Sequence, residues 1–268
     1  MVKFSFIWAA FFCLMPVVAQ AQSHSVWIED LTWTEIRTQL DNGSVAALIP
    51  TGGTEQNGPQ LATGKHNWIV RHTAEAIAKQ LGHTLVAPVI AYVPEGTISP
   101  PQDHMRFAGT LSVREQTFAA LLEDTARSLK QHGFTRIYFI GDHGGSQATQ
   151  KAVAEKLSLE WQPDGILVLN VDRYYTNPDA KAWASSSAIG AKSPDAHAGF
   201  MDTSELWAAH AAGVRPSLIG HQPPDFAVNG LKGDPSLASE SHGKKLLEFK
   251  VRAAVEQIKR AAAINAGK

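Results

Sequence analysis

Short apolar runs alternate with amphipathic helical patterns along this chain, and that alternation constrains the fold more than any other feature of the sequence. Residues 45–49, 84–90, 136–140 and 165–171 are short, aliphatic and rich in β-formers, as buried strands are. Between them, residues 67–81 repeat Ile69, Val70, Ala74, Ile77, Ala78 and Leu81 at helical spacing. Residues 112–132 do the same through Phe118, Leu121, Leu122, Ala126 and Leu129 and stop at Gly133, and residues 148–161 predict a further helix. This rhythm builds parallel sheets covered on both faces, so the expected fold is α/β: a three-layer α/β/α sandwich with a mostly parallel central sheet. Residues 27–40 predict an amphipathic helix before the first strand, started by Thr34 or Thr32 and stopped by Asn42-Gly43, and residues 244–263 a charged helix at the end. Gly96, Pro100, Pro101 and Gly109 exclude a long helix from residues 92–110, and residues 174–194 show no clear periodicity.

The N-terminus carries Lys3, an apolar run over residues 4–18 and then Ala19-Gln20-Ala21, the pattern of a secretory signal cleaved after Ala21. The expected organisation is therefore a signal peptide over residues 1–21 and one domain over 22–268, periplasmic or secreted, without a stable membrane anchor after cleavage. Cys13 lies inside the signal, so the mature chain has no cysteine for a disulfide, a thiolate metal site or a nucleophile. A formal charge of -1, from 24 basic and 25 acidic residues, gives no reason to propose a nucleic-acid partner.

The chemistry concentrates in the connections. Residues 50–66 join the first strand to a helix with Gly52, Gly53, Gly58, Pro59 and Gly64 among them, so the backbone can turn tightly and bring Glu55, Asn57 and His66 together at the carboxyl end of the strand. Ligands bind at that edge in open α/β sheets. Gly141-Asp142-His143-Gly144-Gly145-Ser146 follows the third strand, so Glu55 and His143 can meet in space. The third cluster, from Asp195 through His197 to Ser204, begins a helix, and there Asp202 or Thr203 reads equally as a helix cap.

Taken together, Thr54-Glu55-Gln56-Asn57-Gly58-Pro59, His104 before Gly109-Thr110-Leu111, Gly141-Asp142-His143-Gly144-Gly145, Asp195-Ala196-His197-Ala198-Gly199 and Gly230-Leu231-Lys232-Gly233-Asp234-Pro235 resemble the creatininase (creatinine amidohydrolase) family, in order and rough spacing along nearly the whole mature chain. The resemblance implies a divalent metal site, often binuclear, hydrolysis of amide-type carbon–nitrogen bonds in a small-molecule substrate, and a homo-oligomer, commonly a hexamer. It carries the ligand positions onto Glu55, Asn57, His66, His143 and Asp202. The departures are specific: Asn57 and Gln60 stand where the family has His, and His66 stands where an Asp bridges two cations.

An imidazole cannot bridge two ions as a carboxylate does, and Asn is a poor ligand for a transition metal. The metal ligands expected are thus Glu55, His66, His143 and Asp202, holding one Zn or Mn ion per chain. His197 is the expected catalytic proton carrier, and Asn57, His104 and Asp142 are substrate or supporting contacts. The rival reading is a catalytically degenerate binding or scaffold protein that keeps the pocket.

Overall fold

The computed structural model describes residues 25–186 and 188–266. Four parallel strands form one sheet in the order β2-β1-β3-β4: β1 (Ala46–Thr51), β2 (Thr84–Val86), β3 (Arg136–Gly141) and β4 (Leu167–Asn170). Side chains alternate across a strand, and here the alternation sorts the core into two layers. Ala47, Ile49, Leu85, Ile137, Phe139 and Val168 pack on one face against α3 (Glu115–Gln131) and α4 (Gln147–Trp161), with α1 (Trp33–Asp41) at the margin. Ala46, Leu48, Val86, Tyr138 and Ile140 pack on the other against α2 (Lys65–Leu81) and α9 (Glu240–Ala266). The three-layer α/β/α sandwich expected from the sequence is present.

Several boundaries differ from the sequence expectation, each for a local reason. The first helix starts at Trp33, after a 3₁₀ turn at Ile28–Asp30, because Thr32 caps it: its hydroxyl accepts from Glu35 N while the Glu35 carboxylate accepts from Thr32 N. The second strand ends at Val86, since Pro88 has no N–H for the ladder, and the chain rejoins the sheet only at the Ile90–Thr51 bridge. The third helix begins at Glu115 because Ser112 is bridged to Val93 instead. The stretch without periodicity contains two short helices, α5 (Arg173–Thr176) and α6 (Pro178–Ala184), the latter capped by Asn177 and opened by Pro178. Helices α7 (Phe200–Ala209) and α8 (Phe226–Asn229) follow, and α7 packs against the last helix. Among the described residues no helix is long and apolar enough to cross a membrane. The expected signal peptide lies outside the described residues.

The register places the chemistry. Thr51 pairs with Gly141 at the carboxyl ends of β1 and β3, and Asp142 N donates to Thr51 O at 3.0 Å, so the loops after these strands leave the sheet side by side. The long connection after β2 crosses the same edge, tied down by Leu111 N to Thr54 O at 2.9 Å.

Candidate active site

A cleft of about 290 Å³ opens over the carboxyl ends of β1 and β3, and Glu55 lies at its centre. Its side chain is 1% exposed and meets groups from four separate segments. His66 Nε2 lies 2.9 Å from Oε1, His104 Nδ1 2.8 Å from Oε2, His197 Nδ1 3.6 Å from Oε1, His143 Nε2 3.7 Å from Oε2, and the Lys65 ammonium 3.9 Å from Oε1. Burial opposes ionisation of Glu55, yet the close imidazoles of His104 and His66 and the charge of Lys65 hold its carboxyl well below the usual carboxylate range.

Two groups of side chains around this carboxylate have ligand atoms within 4.8 Å of one another, the spacing that one ion spans: Glu55 with Glu95 and His143, and Glu55 with His104 and His197. The first is fully buried and fits a divalent cation on its own atoms. Glu55 Oε2, both carboxylate oxygens of Glu95 and His143 Nδ1 complete no well-aligned hydrogen bond, although His104 Nδ1 approaches Glu55 Oε2 to 2.8 Å and His143 Nε2 approaches Glu95 Oε2 to 2.9 Å. Buried oxygens without donors are costly unless a cation meets them. The same strain appears in the protonation: burial and the charge of Glu55 push the Glu95 acid up to about 9, while burial pushes His143 down to about 3 and keeps it a neutral imidazole. Two carboxylates and a neutral imidazole suit Zn²⁺ or Mn²⁺.

Glu95 is the site residue that the sequence reading missed. It enters from the long connection after β2, where its N–H donates to Ser112 Oγ at 2.9 Å. Its carboxylate lies so close to Gly53 that a Cβ there would collide with Oε1, which is the physical reason for glycine at that position. An acidic residue in an otherwise uncharged Pro-Glu-Gly turn of a long loop was the available signal.

Of the four expected ligands, Glu55 and His143 fall in these groups; His66 and Asp202 do not. Both His66 nitrogens face carboxylates, Nε2 that of Glu55 and Nδ1 that of Asp142 at 2.7 Å. Burial and Lys65 oppose its charge, but the two carboxylates win and raise it to about 9, so His66 is an imidazolium with no lone pair to offer. The Asp202 carboxylate accepts from Lys65 Nζ at 2.6 Å and from Ala198 N at 2.8 Å, closing the turn before α7. Asn57 is buried and donates to Glu55 O at 2.9 Å, away from both groups. Asp142 lies under the site, where Lys250 at 2.6 Å, His66 and the Tyr174 hydroxyl at 3.1 Å hold it; Lys250 also pairs with Glu205 at 2.6 Å. Nothing in the sequence marked Lys65, Lys250 or Glu205, which are solitary charges on helical faces until the fold buries them.

His104 and His197 lie on the cleft side of Glu55, with ring centroids 4.6 Å apart. The main-chain carbonyl of Gln56 can only accept, so His197 Nε2–H donates to it at 3.0 Å, while the Gln56 side-chain amide donates to Gly230 O at 3.3 Å and lies 3.1 Å from His104 Nδ1. That leaves His197 Nδ1 as the bare nitrogen turned to Glu55. Burial first, and then Lys65, push His197 down to about 3, so it is neutral.

The chain is similar to proteins of one known family. The creatininase family model, described as creatinine amidohydrolase, matches residues 29–258. A mycofactocin precursor peptide peptidase of Mycobacterium ulcerans (strain Agy99) is 28% identical over 251 residues, covering 85% of this chain and 90% of that protein. A solved creatinine amidohydrolase (creatininase) superposes with a TM-score of 0.73 at 22% identity, over 89% of this chain and 98% of its own. Solved creatininases in a manganese form and in a Zn-Zn form align with TM-scores of 0.70 and 0.71, each at 22% identity, over 88% and 89% of this chain and 98% of theirs. With a family model spanning most of its length and the family's sheet edge carrying a buried Glu-His cluster, this chain belongs to the creatininase family and is an amidohydrolase of that family.

Proposed function

We propose that this protein is an exported hydrolase that cleaves a carbon–nitrogen bond of a small amide or cyclic amide, with one divalent ion, Zn²⁺ or Mn²⁺, held by Glu55, Glu95 and His143. The observation that carries the reading is the buried convergence of Glu55, Glu95 and a neutral His143, with ligand atoms within 4.8 Å of one another and with Glu95 Oε1 and His143 Nδ1 left without hydrogen-bond partners. When bound, the ion supplies a water activated near neutral pH and a positive charge for the amide carbonyl. Hydrolysis adds the hydroxyl of water to the acyl carbon and a proton to the departing nitrogen. His197 moves that proton, since it lines the cleft and keeps its Nδ1 free while Nε2–H is anchored on the main chain. His104, held 2.8 Å from the Glu55 carboxylate, faces the same space and positions the amide. His66 and Lys65 orient the Glu55 carboxylate and hold its charge.

Export rests on the Lys3, apolar run and Ala19-Gln20-Ala21 pattern, with a periplasmic or secreted destination. A homo-oligomer, hexameric as the resemblance implies, is part of the same reading, and light scattering of the purified protein tests it.

A second reading, a binding or scaffold protein without turnover, is favoured by one observation: the imidazolium of His66 and the ammonium of Lys65 already place positive charge against Glu55. Metal analysis of protein purified without chelator, followed by amide and lactam hydrolysis, separates the two. About one ion per chain with turnover supports the hydrolase, and metal-free protein that stays inert after loading with Zn²⁺ or Mn²⁺ overturns it.

A further inference from the structure

Charge pairing in the cleft leaves one lysine over. Of the carboxylates lining it, Asp202 meets Lys65 at 2.6 Å, Asp142 and Glu205 both meet Lys250 at 2.6 Å, Asp195 meets Lys181 at 2.8 Å, and Glu55 is surrounded by imidazoles. Lys232 also lines the cleft, and among the described residues it has no carboxylate within 4.0 Å. Its ammonium lies instead 4.5 Å from the centroid of the Phe226 ring. That ring packs edge-on against His104, at 5.2 Å, and His197, at 6.1 Å, so Lys232 is one aromatic ring away from the two imidazoles facing the cleft. The Arg106 guanidinium is 5.6 Å from the same ring and takes part in no ion pair among the described residues, its Nε donating to Asp103 O.

The main chain fixes this placement. Lys232 N and Gly233 N both donate to the His197 carbonyl, at 3.1 and 3.0 Å. Gly233 lies against Gly199 so closely that a Cβ on Gly233 would come within 2.6 Å of the Gly199 Cα. The loop bearing Lys232 and the turn bearing His197 are thus clamped backbone to backbone, so both side chains start from fixed main-chain positions beside the cleft.

A cation resting on an aromatic face keeps its other side open to an acceptor, and a charged hydrogen bond in a half-enclosed cleft is stronger than one in water. We propose that Lys232, assisted by Arg106, binds a carboxylate of the substrate, so that the substrates are amides with a free carboxylate close to the scissile bond, of the N-acyl amino acid type, in preference to neutral amides. This rests on the hydrolytic reading above and adds the substrate class to it.

The test uses the mature protein loaded with Zn²⁺ or Mn²⁺ and a pair of compounds differing only in charge, N-acetylglycine and its N-methylamide, with acetate release as the readout. The wild type should prefer the acid by roughly 10- to 100-fold in kcat/KM, the range of a charge-assisted hydrogen bond. Lys232→Met should bring that preference to about one through KM, Lys232→Arg should keep most of it, and metal content should be the same in all three. Equal rates on both compounds in the wild type, or a Lys232→Met variant that keeps the preference, overturns the proposal. If loaded wild type hydrolyses neither compound nor any other amide, the hydrolytic reading fails, and titration calorimetry with N-acetylglycine then decides the anchor alone: Lys232-dependent binding supports it, and absence of binding to the wild type overturns it.

Discussion

Replacing Glu95 with Gln should make the metal-free protein more stable and the metal-supplied protein less so, a crossing that only a cation ligand produces. In the metal-free fold the Glu95 acid is held up to about 9 against an ordinary 4.5, so between those values the folded chain binds a proton that the unfolded chain has released. Stability therefore falls as pH rises across that window, and at pH 8 retaining the proton costs at most about 1.36 × 3.5, or about 5 kcal/mol. Relaxation of the loop that carries Glu95 takes up part of this. The amide of Gln carries its own hydrogens and needs no proton from solvent, so we expect a gain of ~1–3 kcal/mol in chelator at pH 8 and almost none at pH 4.5. For a chain of this size that is roughly 2–12 °C in Tm. With Zn²⁺ at a hundred times its Kd, the wild type should gain about 2.7 kcal/mol by mass action, and the variant, missing an anionic ligand, should gain little. Differential scanning calorimetry of both proteins, in chelator and in Zn²⁺, at pH 5 and 8, reads all four corners. An equal metal-dependent shift in wild type and variant would refute the ligand assignment, and a variant no more stable than the wild type in chelator at pH 8 would refute the claim that its carboxylate is uncompensated.

His197→Ala should keep its metal and lose at least about 10²-fold in turnover, as a missing proton carrier does; equilibrium dialysis beside a rate assay checks it, and an unchanged rate removes His197 from the mechanism. Asp142 and Asp202 are both held below the ordinary 3.8 by Lys250 and Lys65 respectively, against the cost of burial, so their stabilisation is full above about pH 4 and is lost as pH falls towards 2. The Tm should accordingly drop steeply below pH 4, and a Tm flat from pH 4 to 2.5 contradicts the assignment. Thr32→Ala, which removes a capping box far from the cleft, should cost ~1 kcal/mol, about 2–4 °C by thermal melt, while leaving metal content and kcat/KM as they were.

The layers were legible in the sequence because they depend on periodicity: Ala47 and Ile49 had to face one way and Ala46 and Leu48 the other once residues 45–49 were read as a strand between helices. The site was legible where a candidate side chain sits beside a strand end, as those of Glu55 and His143 do, because parallel strands bring their carboxyl ends together. It was illegible where a residue's role depends on its neighbour's charge. His66 reads as a metal ligand from its position, and only the structure puts Asp142 and Glu55 on its two nitrogens and makes it a cation. Asp202 is the converse case. Its carboxylate neutralises Lys65 and accepts from Ala198 N inside the first turn of α7, whose cap is Gly199 without a side-chain capping bond, so the cap expectation fails at both Asp202 and Thr203. Glu95 could not be placed from sequence because its loop has no period, and loop paths are set by bridges such as Val93–Ser112 that no local pattern announces.

Those same charges decide how many ions the site holds. The two candidate groups share Glu55, so filling both would put two dications against one carboxylate that already touches His66 and lies 3.9 Å from the Lys65 ammonium. Glu55 and Glu95 together balance one dication; the second group adds only the imidazoles of His104 and His197 and no negative charge. At a separation of about 4 Å, two dications repel by roughly 17 kcal/mol even at an effective dielectric of 20, which a bridging carboxylate relieves and an imidazolium aggravates. One ion per chain is the expected stoichiometry, measured by plasma emission spectrometry on protein purified without chelator. His66→Asp removes a positive charge and adds a negative one beside Glu55, so that variant should take up a second ion at the His104 and His197 group without any change at Asn57, whose side chain faces the Glu55 carbonyl and not the cleft. Two ions in the wild type would show that the charge argument is wrong, and a His66→Asp protein that still holds one would show that charge alone does not keep the second group empty.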